Sequence, residues 1–483
     1  MFVSFESIRD FPVKAYYVRG GGLLTADSAV EEKLSLAVRC EAFNGGLGQV
    51  ACIWDYGAGT AAVFVGLGDA AGAEPVRRAT AKLVEWAQHQ QLEALGIDAA
   101  GLTAAPMARA AAEAAVLSSY RYTEFLTAPP RQALQRVVLE ADAALADALE
   151  EGVILGTATN VARDLVNEPS NLQTPLRLAW EVQELGERFG FSVELLEEEK
   201  IRALSMEALY QVAKGSPNEP VVIVMRYQGD PSRPEEITGL IGKGVTYDSG
   251  GLNLKSGQRF TTMKHDMAGG ATVIGALCAI AQRKLRANVV AVVAACENLI
   301  SATAYKPGDI IGSMAGKTIQ INSTDAEGRL TLIDAMTYAV RREGVKRLVD
   351  IGTLTGAARR ILGEFGAPVL GNDDHMWHLL SAGADEADEL VCRVPLVPDA
   401  RAKIRGDVSD LLNTSLAETG GMVTAALFLE EFVEGTPWMH IDAAGPLWLD
   451  HDMPYTPKGG SGWGTRTLYH FVRKLSAEGL PQE

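Results

Sequence analysis

The feature that most constrains this chain is an alternation of short apolar runs with stretches of helical spacing downstream of residue 170. Apolar runs that are expected to form strands lie at 221–225, 237–241, 287–295 and 347–351. Helical spacing of apolar residues fills 268–283 and 330–343 between them. Runs that are apolar throughout are typical of strands buried on both faces. The pattern therefore predicts an α/β fold with a mostly parallel central sheet flanked by helices.

The length of the chain favours two domains, because 483 residues exceed what one hydrophobic core usually serves. Upstream of residue 130 a second α/β alternation predicts strands at 50–54 and 62–66 and helices at 74–92 and 105–119. A helix-prone stretch from 132 to 166 follows and is expected to connect the two parts. We predict a smaller N-terminal α/β domain over 1–150, with an oligomeric or regulatory role, and a larger C-terminal catalytic domain over 151–483.

The charge and the cysteine content limit which partners and which cellular location are expected. The chain has 44 basic and 61 acidic residues, a formal charge of −17. Such a surface repels phosphate backbones, so nucleic acid is not an expected partner. Five scattered cysteines are expected to be reduced thiols, and the start of the chain lacks the pattern of a secretory signal. No apolar run approaches the ~20 residues of a membrane span, and we expect a cytoplasmic protein without a membrane partner.

One octet suggests metal chemistry. Residues 323–330 read STDAEGRL, with two carboxylates two positions apart and an arginine two positions further on. Asp325 and Glu327 offer hard oxygen ligands beside the guanidinium of Arg329, a combination that suits a divalent cation next to developing negative charge. A surface loop explains the same pattern, so the octet alone leaves both interpretations open.

The loop expected after the strand at 237–241 is the second candidate, because ligands of such sheets bind where the chain leaves the carboxyl ends of strands. It reads GKGVTYDSGGLNLK over 242–255, and its glycines let the backbone approach a ligand closely. A phosphate loop is excluded because Gly244 occupies the position of the required hydroxyl residue. Asp266 adds an acid just before the helix at 268–283, where an N-cap is its alternative role.

Together these segments resemble the leucyl aminopeptidase family, whose members are hexameric two-metal exopeptidases. The matching motifs lie in the family's order at 162–169, 242–251, Lys255, 263–267, 324–330, 353–356, 420–421, 424–426 and 438–442. The resemblance covers residues 150–470 and is faint upstream. It implies an aminopeptidase that takes peptides as substrates, prefers N-terminal leucine or another apolar residue, and assembles as a homohexamer.

The resemblance implies five metal ligands, which are Lys243, Asp248, Asp266, Asp325 and Glu327. Asp248 and Glu327 would bridge two ions, Lys243 and Asp266 would complete the tighter site, and Asp325 the more exchangeable one. Converging carboxylates repel one another, and two divalent ions, Mn²⁺ or Zn²⁺, offset that charge. A lysine ligand must be neutral although its reference pKa is about 10.4, so salt bridges with the same acids are the alternative role of Lys243.

Two further residues would act on the reaction. In the family, a water between the metal ions attacks the first carbonyl of the peptide. Lys255, kept protonated, would stabilise the developing oxyanion. Arg329 would hold a bicarbonate ion that serves as general base.

Specificity is also implied by the resemblance. Met263, Thr353 and Gly356 would line the pocket for the N-terminal side chain, and Leu354 would contribute backbone. A pocket with methionine suits leucine or methionine, although core packing is the other explanation of such a residue. Ser323 stands where the family usually has asparagine, near the side that receives the leaving residue.

Two rival functions remain at this stage. One is a DNA-binding accessory protein that retains the aminopeptidase fold, which the charge of −17 disfavours. The other is a different metal-dependent enzyme on the same scaffold, such as a dipeptidase or a phosphoryl hydrolase. The retained ligand positions and the lack of a phosphate-gripping motif argue against the hydrolase of phosphoryl groups.

Overall fold

A computed structural model describes residues 2–40, 43–415 and 419–478, apart from the side chains of 258 and 259. The chain forms two compact units. One comprises the described residues up to Asn160 together with His451–Lys458, and the other comprises Val161–Asp450 and the described residues from Gly459 onwards. The α/β class is confirmed, and the boundary at 150–151 stays our proposal for the domains.

The N-terminal unit is built on a seven-stranded sheet. Its strands are β1 Phe2–Ser4, β2 Val13–Arg19, β3 Gly22–Leu23, β4 Val50–Asp55, β5 Thr60–Gly66, β6 Ala94–Asp98 and β7 Arg136–Glu140. The order is β1-β7-β6-β2-β5-β4, with β3 paired to β2. All pairs are parallel except β4 with β5 and β2 with β3. The helices of this part are α1 Ser28–Cys40, α2 Ala73–His89, α3 Ala105–Ser118 and the start of α4 Ala146–Asn167.

The expected helix over 132–166 is wrong in its first third. Residues 136–140 form β7, which pairs in parallel with β1 on one side and β6 on the other. A 3₁₀ turn, Ala143–Leu145, then leads into α4. The middle of β7 is Val137, Val138 and Leu139, all fully buried. Two strand neighbours and a buried apolar centre outweigh the helical propensity of the flanking residues.

The C-terminal unit contains the remaining strands. They are β8 Ser192–Leu196, β9 Val221–Gln228, β10 Ile237–Asp248, β11 Asn288–Asn298, β12 Ile310–Ile311, β13 Ile319–Gln320, β14 Arg347–Gly352, β15 Gly366–Gly371, β16 Leu390–Arg393, β17 Leu411–Leu412, β18 Trp438–Asp442, β19 Trp448–Leu449 and β20 Gly459–Gly460. Eight of them form the main sheet in the order β16-β15-β18-β14-β10-β11-β9-β8. Two small sheets, β12-β13-β17 and β19-β20, hold the others.

Helices surround this sheet. They are α5 Pro175–Phe189, α6 Glu198–Ala203, α7 Glu207–Ala213, α8 Ala268–Gln282, α9 Glu327–Arg341, α10 Gly356–Leu362, α11 Asp374–Ala387, α12 Gly421–Glu430 and α13 Thr465–Glu478, with 3₁₀ helices at Gly257–Met267 and Pro398–Ile404. Within the described ranges, none of the helices has the length and apolar character that crossing a membrane would require.

The centre of the main sheet is parallel and its flanks are mixed. Strands β18, β14, β10 and β11 are parallel neighbours, whereas β9 runs antiparallel to β11 and β15 antiparallel to β18. The run at 221–225, expected in a parallel strand, thus lies in an antiparallel one. All five of its residues are buried, and burial on both faces, not strand direction, accounts for its composition.

The two central helices pack on opposite faces of β10. Ile241 and Val245 belong to the same buried core as Leu330 of α9. Gly242 faces the other way, where a Cβ atom would lie 2.5 Å from the Cα of Gly270 in α8. Glycine at both positions lets α8 approach the strand closely. The carboxyl end of β10 is therefore enclosed between the start of α8 and the start of α9.

Candidate metal centre

Strand β10 presents the first two predicted ligands on one face because it contains a bulge. Lys243 and Asp248 are five positions apart, and in a regular strand such residues point to opposite faces. The pairing of β10 with β11 shifts by one residue between Val245 and Tyr247, which returns the two side chains to the same face. Lys243 is 2% exposed and Asp248 is fully buried. The bulge therefore brings the ammonium and the carboxylate to one site.

The other three predicted ligands lie where two helices begin. Asp266 is next to last in the 3₁₀ helix that leads into α8, and Asp325 lies two residues before Glu327, the first residue of α9. The dipoles at a helix start stabilise negative charge. The N-cap role considered for Asp266 is wrong, because Met267 occupies the N-cap of α8.

Lys243 lies between two of these carboxylates. Its Nζ is 2.7 Å from Asp266 Oδ2 and 2.8 Å from Glu327 Oε1, and it donates a hydrogen bond of 3.0 Å to the carbonyl of Thr353. A Cβ atom at Gly328 would lie 2.6 Å from the Cε of this lysine. Glycine at that position makes room for the lysine side chain, and the ion pairs are those that the sequence left open as its alternative role.

A second lysine lies between the other two carboxylates. Lys255 Nζ is 2.5 Å from Asp248 Oδ2 and 2.6 Å from Asp325 Oδ1. One oxygen from each of Asp248, Asp325 and Glu327 lies within 4.8 Å of the others. The two halves of the predicted ligand set thus meet around one point, although they come from segments about 75 positions apart in the sequence.

Burial and neighbouring charges shift the pKa values of the four carboxylates. Burial, followed by the charge of Glu327, raises the pKa of Asp248 to about 7 and that of Asp325 to about 6. Burial also raises the pKa of Asp266. Glu327 shifts the other way, since the two lysine ammonium groups outweigh its burial and lower its pKa to about 2. Raised pKa values indicate negative charge that its surroundings do not fully compensate.

These residues fit divalent cations. Four carboxylates face two ammonium groups, an excess of two negative charges. Glu327 Oε2 is buried and accepts no hydrogen bond from the residues described, and hard oxygens of this kind suit manganese, magnesium or zinc. Burial favours the neutral form of Lys243, but the charges of Asp266 and Glu327 outweigh it and raise its pKa. A ligand role for Lys243 therefore requires the loss of its proton.

Arg329 is a buried cation with donors to spare. It lies in the first turn of α9 and is 5% exposed, and its Nη1 donates a hydrogen bond of 3.0 Å to the carbonyl of Asn413. Its Nε has no hydrogen-bond partner in the described part of the chain. Burial lowers the pKa of Arg329 to about 10, which still leaves it charged at neutral pH. A buried guanidinium with an open donor edge suits a small planar anion.

The loop between β14 and α10 is held from two sides. Thr353 Oγ1 donates a hydrogen bond of 2.6 Å to Asp266 Oδ1. The backbone N–H groups of Leu354 and Thr355 each donate to Asp442 Oδ1 at 3.1 Å, and Thr355 Oγ1 donates to Asp442 Oδ2 at 2.6 Å. The predicted pocket residues of this loop are thereby fixed relative to the carboxylate cluster.

The remaining predicted residues lie nearby in the chain but outside the cluster of ion pairs. Gly356 is exposed at the start of α10, and Met263 is half-buried in the 3₁₀ helix before α8. Ser323 uses its hydroxyl to accept a hydrogen bond of 3.2 Å from the backbone of Asp325. Its carbonyl accepts one of 2.7 Å from Asn413 Nδ2. Its polar groups thus shape the ligand loop.

Four uncharged residues that were not predicted from the sequence support the ligand loops. They are Asn253, Asn298, Thr324 and Asn413. Thr324 Oγ1 donates a hydrogen bond of 2.6 Å to the carbonyl of Gly250 and accepts one of 2.8 Å from the backbone N–H of Asn253. The backbone N–H of Thr324 in turn donates a hydrogen bond of 2.8 Å to Asn253 Oδ1. Asn298 stands at the carboxyl end of an apolar strand, but that position does not distinguish a supporting residue from an ordinary strand end. Asn413 gave no signal in the sequence, because it lies 84 positions from the arginine that it contacts.

Comparisons with known proteins identify the family of the chain. The family model described as the cytosol aminopeptidase family, catalytic domain, matches residues 160–469, and the model of that family's N-terminal domain matches 20–129. A probable cytosol aminopeptidase of Alkaliphilus oremlandii is 39% identical over 467 residues, 94% of this chain and 92% of the relative. A probable cytosol aminopeptidase of Solibacter usitatus is 41% identical over 415 residues, which cover 85% of this chain and 84% of the relative. The solved bottromycin maturation enzyme BotP in complex with Mn superimposes with a TM-score of 0.87 at 33% identity, covering 96% of this chain and 99% of that one.

Proposed function

The chain belongs to the cytosol aminopeptidase family and is a metalloaminopeptidase, and we propose that it releases leucine or another apolar residue from the N-termini of peptides at a site for two divalent ions. The convergence of Asp248, Asp325 and Glu327, with oxygens within 4.8 Å of one another, carries this proposal. Lys243 and Asp266 complete the proposed ligand set, because the Lys243 ammonium pairs with both Asp266 and Glu327.

Bound by these residues, divalent ions would polarise the first carbonyl of the peptide and lower the pKa of a water molecule. Lys255 supplies a positive charge that complements the negative charge developing on the carbonyl oxygen. Burial favours its neutral form, but Asp248 and the neighbouring carboxylates outweigh it and raise its pKa. Lys255 therefore stays protonated at neutral pH and donates hydrogen bonds to the oxyanion that forms from the carbonyl.

Arg329 is proposed to hold a bicarbonate ion that accepts the proton of the attacking water. Its buried guanidinium keeps its charge and has an Nε without a hydrogen-bond partner among the described residues. Bidentate binding of a planar anion would use such donors. A bound anion is the role that best accounts for a buried arginine whose one hydrogen bond within the described residues is to a backbone carbonyl.

The pocket for the N-terminal side chain is proposed to involve Met263, Thr353, Leu354 and Gly356. A Cβ atom at Gly356 would meet no described atom within 4 Å, so there is space beside it for a substrate group. Met263 is half-buried and adaptable in shape. Ser323 is the position where we expect a preference for the leaving residue that differs from the family's.

The ion identity, the assembly and the location belong to the same proposal. Manganese and zinc are the expected ions, and the similar structure solved with Mn makes manganese the first to test. A homohexamer rests on the family resemblance, and domain 1–150 is proposed to have an oligomeric or regulatory role. A cytoplasmic location is proposed from the scattered cysteines and from relatives described as cytosol aminopeptidases. The rival DNA-binding role gains no support from the site, and the charge of −17 opposes it.

A metal-restoration assay tests the function. Chelator-stripped protein is re-supplied with manganese, zinc, cobalt or magnesium and offered a panel of aminoacyl anilides. We expect metal-dependent hydrolysis, fastest for leucyl and methionyl substrates, and a loss of at least tenfold in Asp325→Asn at limiting metal because a ligand is removed. Asp309→Asn is the matched control, since the Asp309 carboxylate pairs with the exposed Lys306, outside the carboxylate cluster.

The outcomes separate the parts of the proposal. Equal rates for all N-terminal residues would contradict the apolar preference alone. Failure of every metal to restore hydrolysis would contradict the metal-dependent site. Salt-sensitive binding of duplex DNA in place of hydrolysis would favour the rival function.

A further inference from the structure

Asn298 is the last residue of β11 and lies against both halves of the carboxylate cluster. It is fully buried. The register of β10 with β11 pairs it directly with Asp248, just beyond the bulge. It carries no charge and is not among the ligands proposed above. Its position at the carboxyl end of a central strand is where such sheets place functional groups.

The amide nitrogen of Asn298 holds one group from each half of the site. Nδ2 donates a hydrogen bond of 2.8 Å to Asp248 Oδ1 and one of 3.0 Å to the carbonyl of Thr324. Thr324 immediately precedes Asp325. The two hydrogens of a single NH₂ group therefore connect the ligand at the end of β10 with the loop that carries the next ligand.

The orientation of this amide follows from its neighbours. A carboxylate and a carbonyl are both acceptors, so only the NH₂ side of the amide can face them. The opposite atom, Asn298 Oδ1, is then buried without a hydrogen-bond partner among the residues described. Buried polar atoms without partners are rare because they cost stability. A residue kept for stability alone would satisfy both ends of its amide, whereas Asn298 satisfies only the end that faces the ligands.

The amide of Asn298 also determines which oxygen of Asp248 is left to bind a cation. Oδ1 accepts from Asn298 and from the backbone N–H of Gly250, the latter at 2.8 Å. Oδ2 is left facing Lys255 and the convergent carboxylates. Supporting hydrogen bonds of this kind fix the orientation of a ligating carboxylate.

We propose that Asn298 is a positioning residue of the metal centre, which sets the distance between Asp248 and Asp325 so that both reach the same cation. This inference rests on the metal site of the proposed function. It assigns to Asn298 an effect on metal affinity, strongest for the more weakly held ion, because Asp325 is the exposed member of the ligand set.

Manganese binding by the full-length protein tests the inference. Asn298→Leu removes both hydrogen bonds at nearly constant volume, and Asn298→Ala removes them while leaving space for water. Each chelator-stripped variant is titrated with Mn²⁺, and free Mn²⁺ is measured by electron paramagnetic resonance. We expect the Kd of the weaker site to rise 10- to 100-fold, the usual effect of losing a residue that supports a ligand.

Two controls distinguish positioning from general damage. Asn288→Ala changes a buried asparagine at the other end of the same strand, where it bonds to the backbone of Asp230 and Arg233. It should lower the melting temperature while leaving the Kd within twofold. Tyr305→Phe removes another donor to the Thr324 carbonyl, at 2.8 Å, without touching Asp248, and should also leave the Kd within twofold.

Each outcome bears on the inference. Unchanged manganese affinity in folded Asn298 variants, or an equal loss in Asn288→Ala, would overturn it. If one Asn298 variant fails to fold, the other and the Tyr305→Phe comparison still decide. Wild-type protein that binds no manganese and hydrolyses no anilide would instead contradict the proposed function, so the two failures are distinguishable.

Discussion

At the scale of single residues, Lys255 differs from the other charged groups of the site because it contacts two proposed ligands without being one. Its ammonium lies within 2.6 Å of oxygens of both Asp248 and Asp325. It therefore competes with a cation for these carboxylates, while its charge is what the developing oxyanion requires. Removing it should separate metal binding from turnover.

We expect Lys255→Met to lower turnover of a leucyl anilide by about 10²- to 10³-fold, the usual loss when one oxyanion donor is removed. Metal content should stay undiminished, because a competing cation has been deleted. Steady-state kinetics and elemental analysis of the same preparation check both parts. Lys306→Met, which removes a surface pair with Asp309 far from the proposed ligands in the sequence, is the control. A variant that keeps full turnover, or that loses its metal, would disprove the assignment.

Single residues also show how far sequence reasoning reaches. The charged residues could be named in advance because they stand in ordered motifs, and the fold brings Lys243, Asp248, Asp266 and Glu327 together. The uncharged supports could not. Asn298 contacts a carbonyl 26 positions away, and an asparagine at a strand end has no local signature of such a role. Only the tertiary structure shows which of the many asparagines face a ligand.

At the scale of elements, the strands and helices that carry the site were predictable and their details were not. Apolar runs and helical spacing located the start of β10 and most of β11, β14, α8 and α9 from the sequence alone. The bulge in β10 was not predictable, because the apolar run ends at 241 and 242–255 was expected to be a loop, whereas β10 continues to Asp248. It arises from pairing with β11, a tertiary effect that decides the direction of every later side chain.

The loop before α10 offers a prediction at this scale. Asp442 accepts two backbone N–H groups and one hydroxyl from Leu354 and Thr355. We expect Asp442→Asn to raise the KM for leucyl anilide about tenfold, since hydrogen bonds to a charged acceptor contribute about 1.5 kcal/mol or more. Metal content should not change. Michaelis–Menten kinetics on the variant measure the effect.

Thr355→Ser is the matched control for this change, because it keeps the hydroxyl that caps α10 and donates to Asp442. It should behave like the wild type. A fall in kcat with an unchanged KM in Asp442→Asn would show that the loop does not hold the substrate.

At the scale of the whole molecule, the sequence pattern predicted the fold class better than it predicted which segments belong to which unit. Two α/β parts followed from length and alternation. The inclusion of His451–Lys458 in the N-terminal unit did not, because contacts between segments some 300 positions apart leave no pattern in either segment. The same holds for the carboxylate cluster, whose repulsion acts on the stability of the fold only once the chain has brought the acids together.

Metal binding should therefore control stability. Because the raised pKa of Asp248, about 7, lies above its ordinary value near 3.9, ionisation of this group costs stability as pH rises through that window, and the cost is complete above pH 7. We expect Asp248→Asn to unfold at a higher temperature than the wild type at pH 8 without added metal, and to lose this advantage at pH 4.

Manganese should reverse that order at pH 8. A ligand at 1,000 times its Kd stabilises the folded protein by about 4 kcal/mol, so the wild type should gain several degrees in melting temperature while Asp248→Asn gains little. Differential scanning calorimetry with and without Mn²⁺ measures both effects, and Asp309→Asn, which changes a carboxylate outside the cluster, should follow the wild type. A manganese shift as large in Asp248→Asn as in the wild type would show that the ion is held elsewhere. The metal would then not act on stability by reducing the repulsion within the carboxylate cluster that includes Asp248.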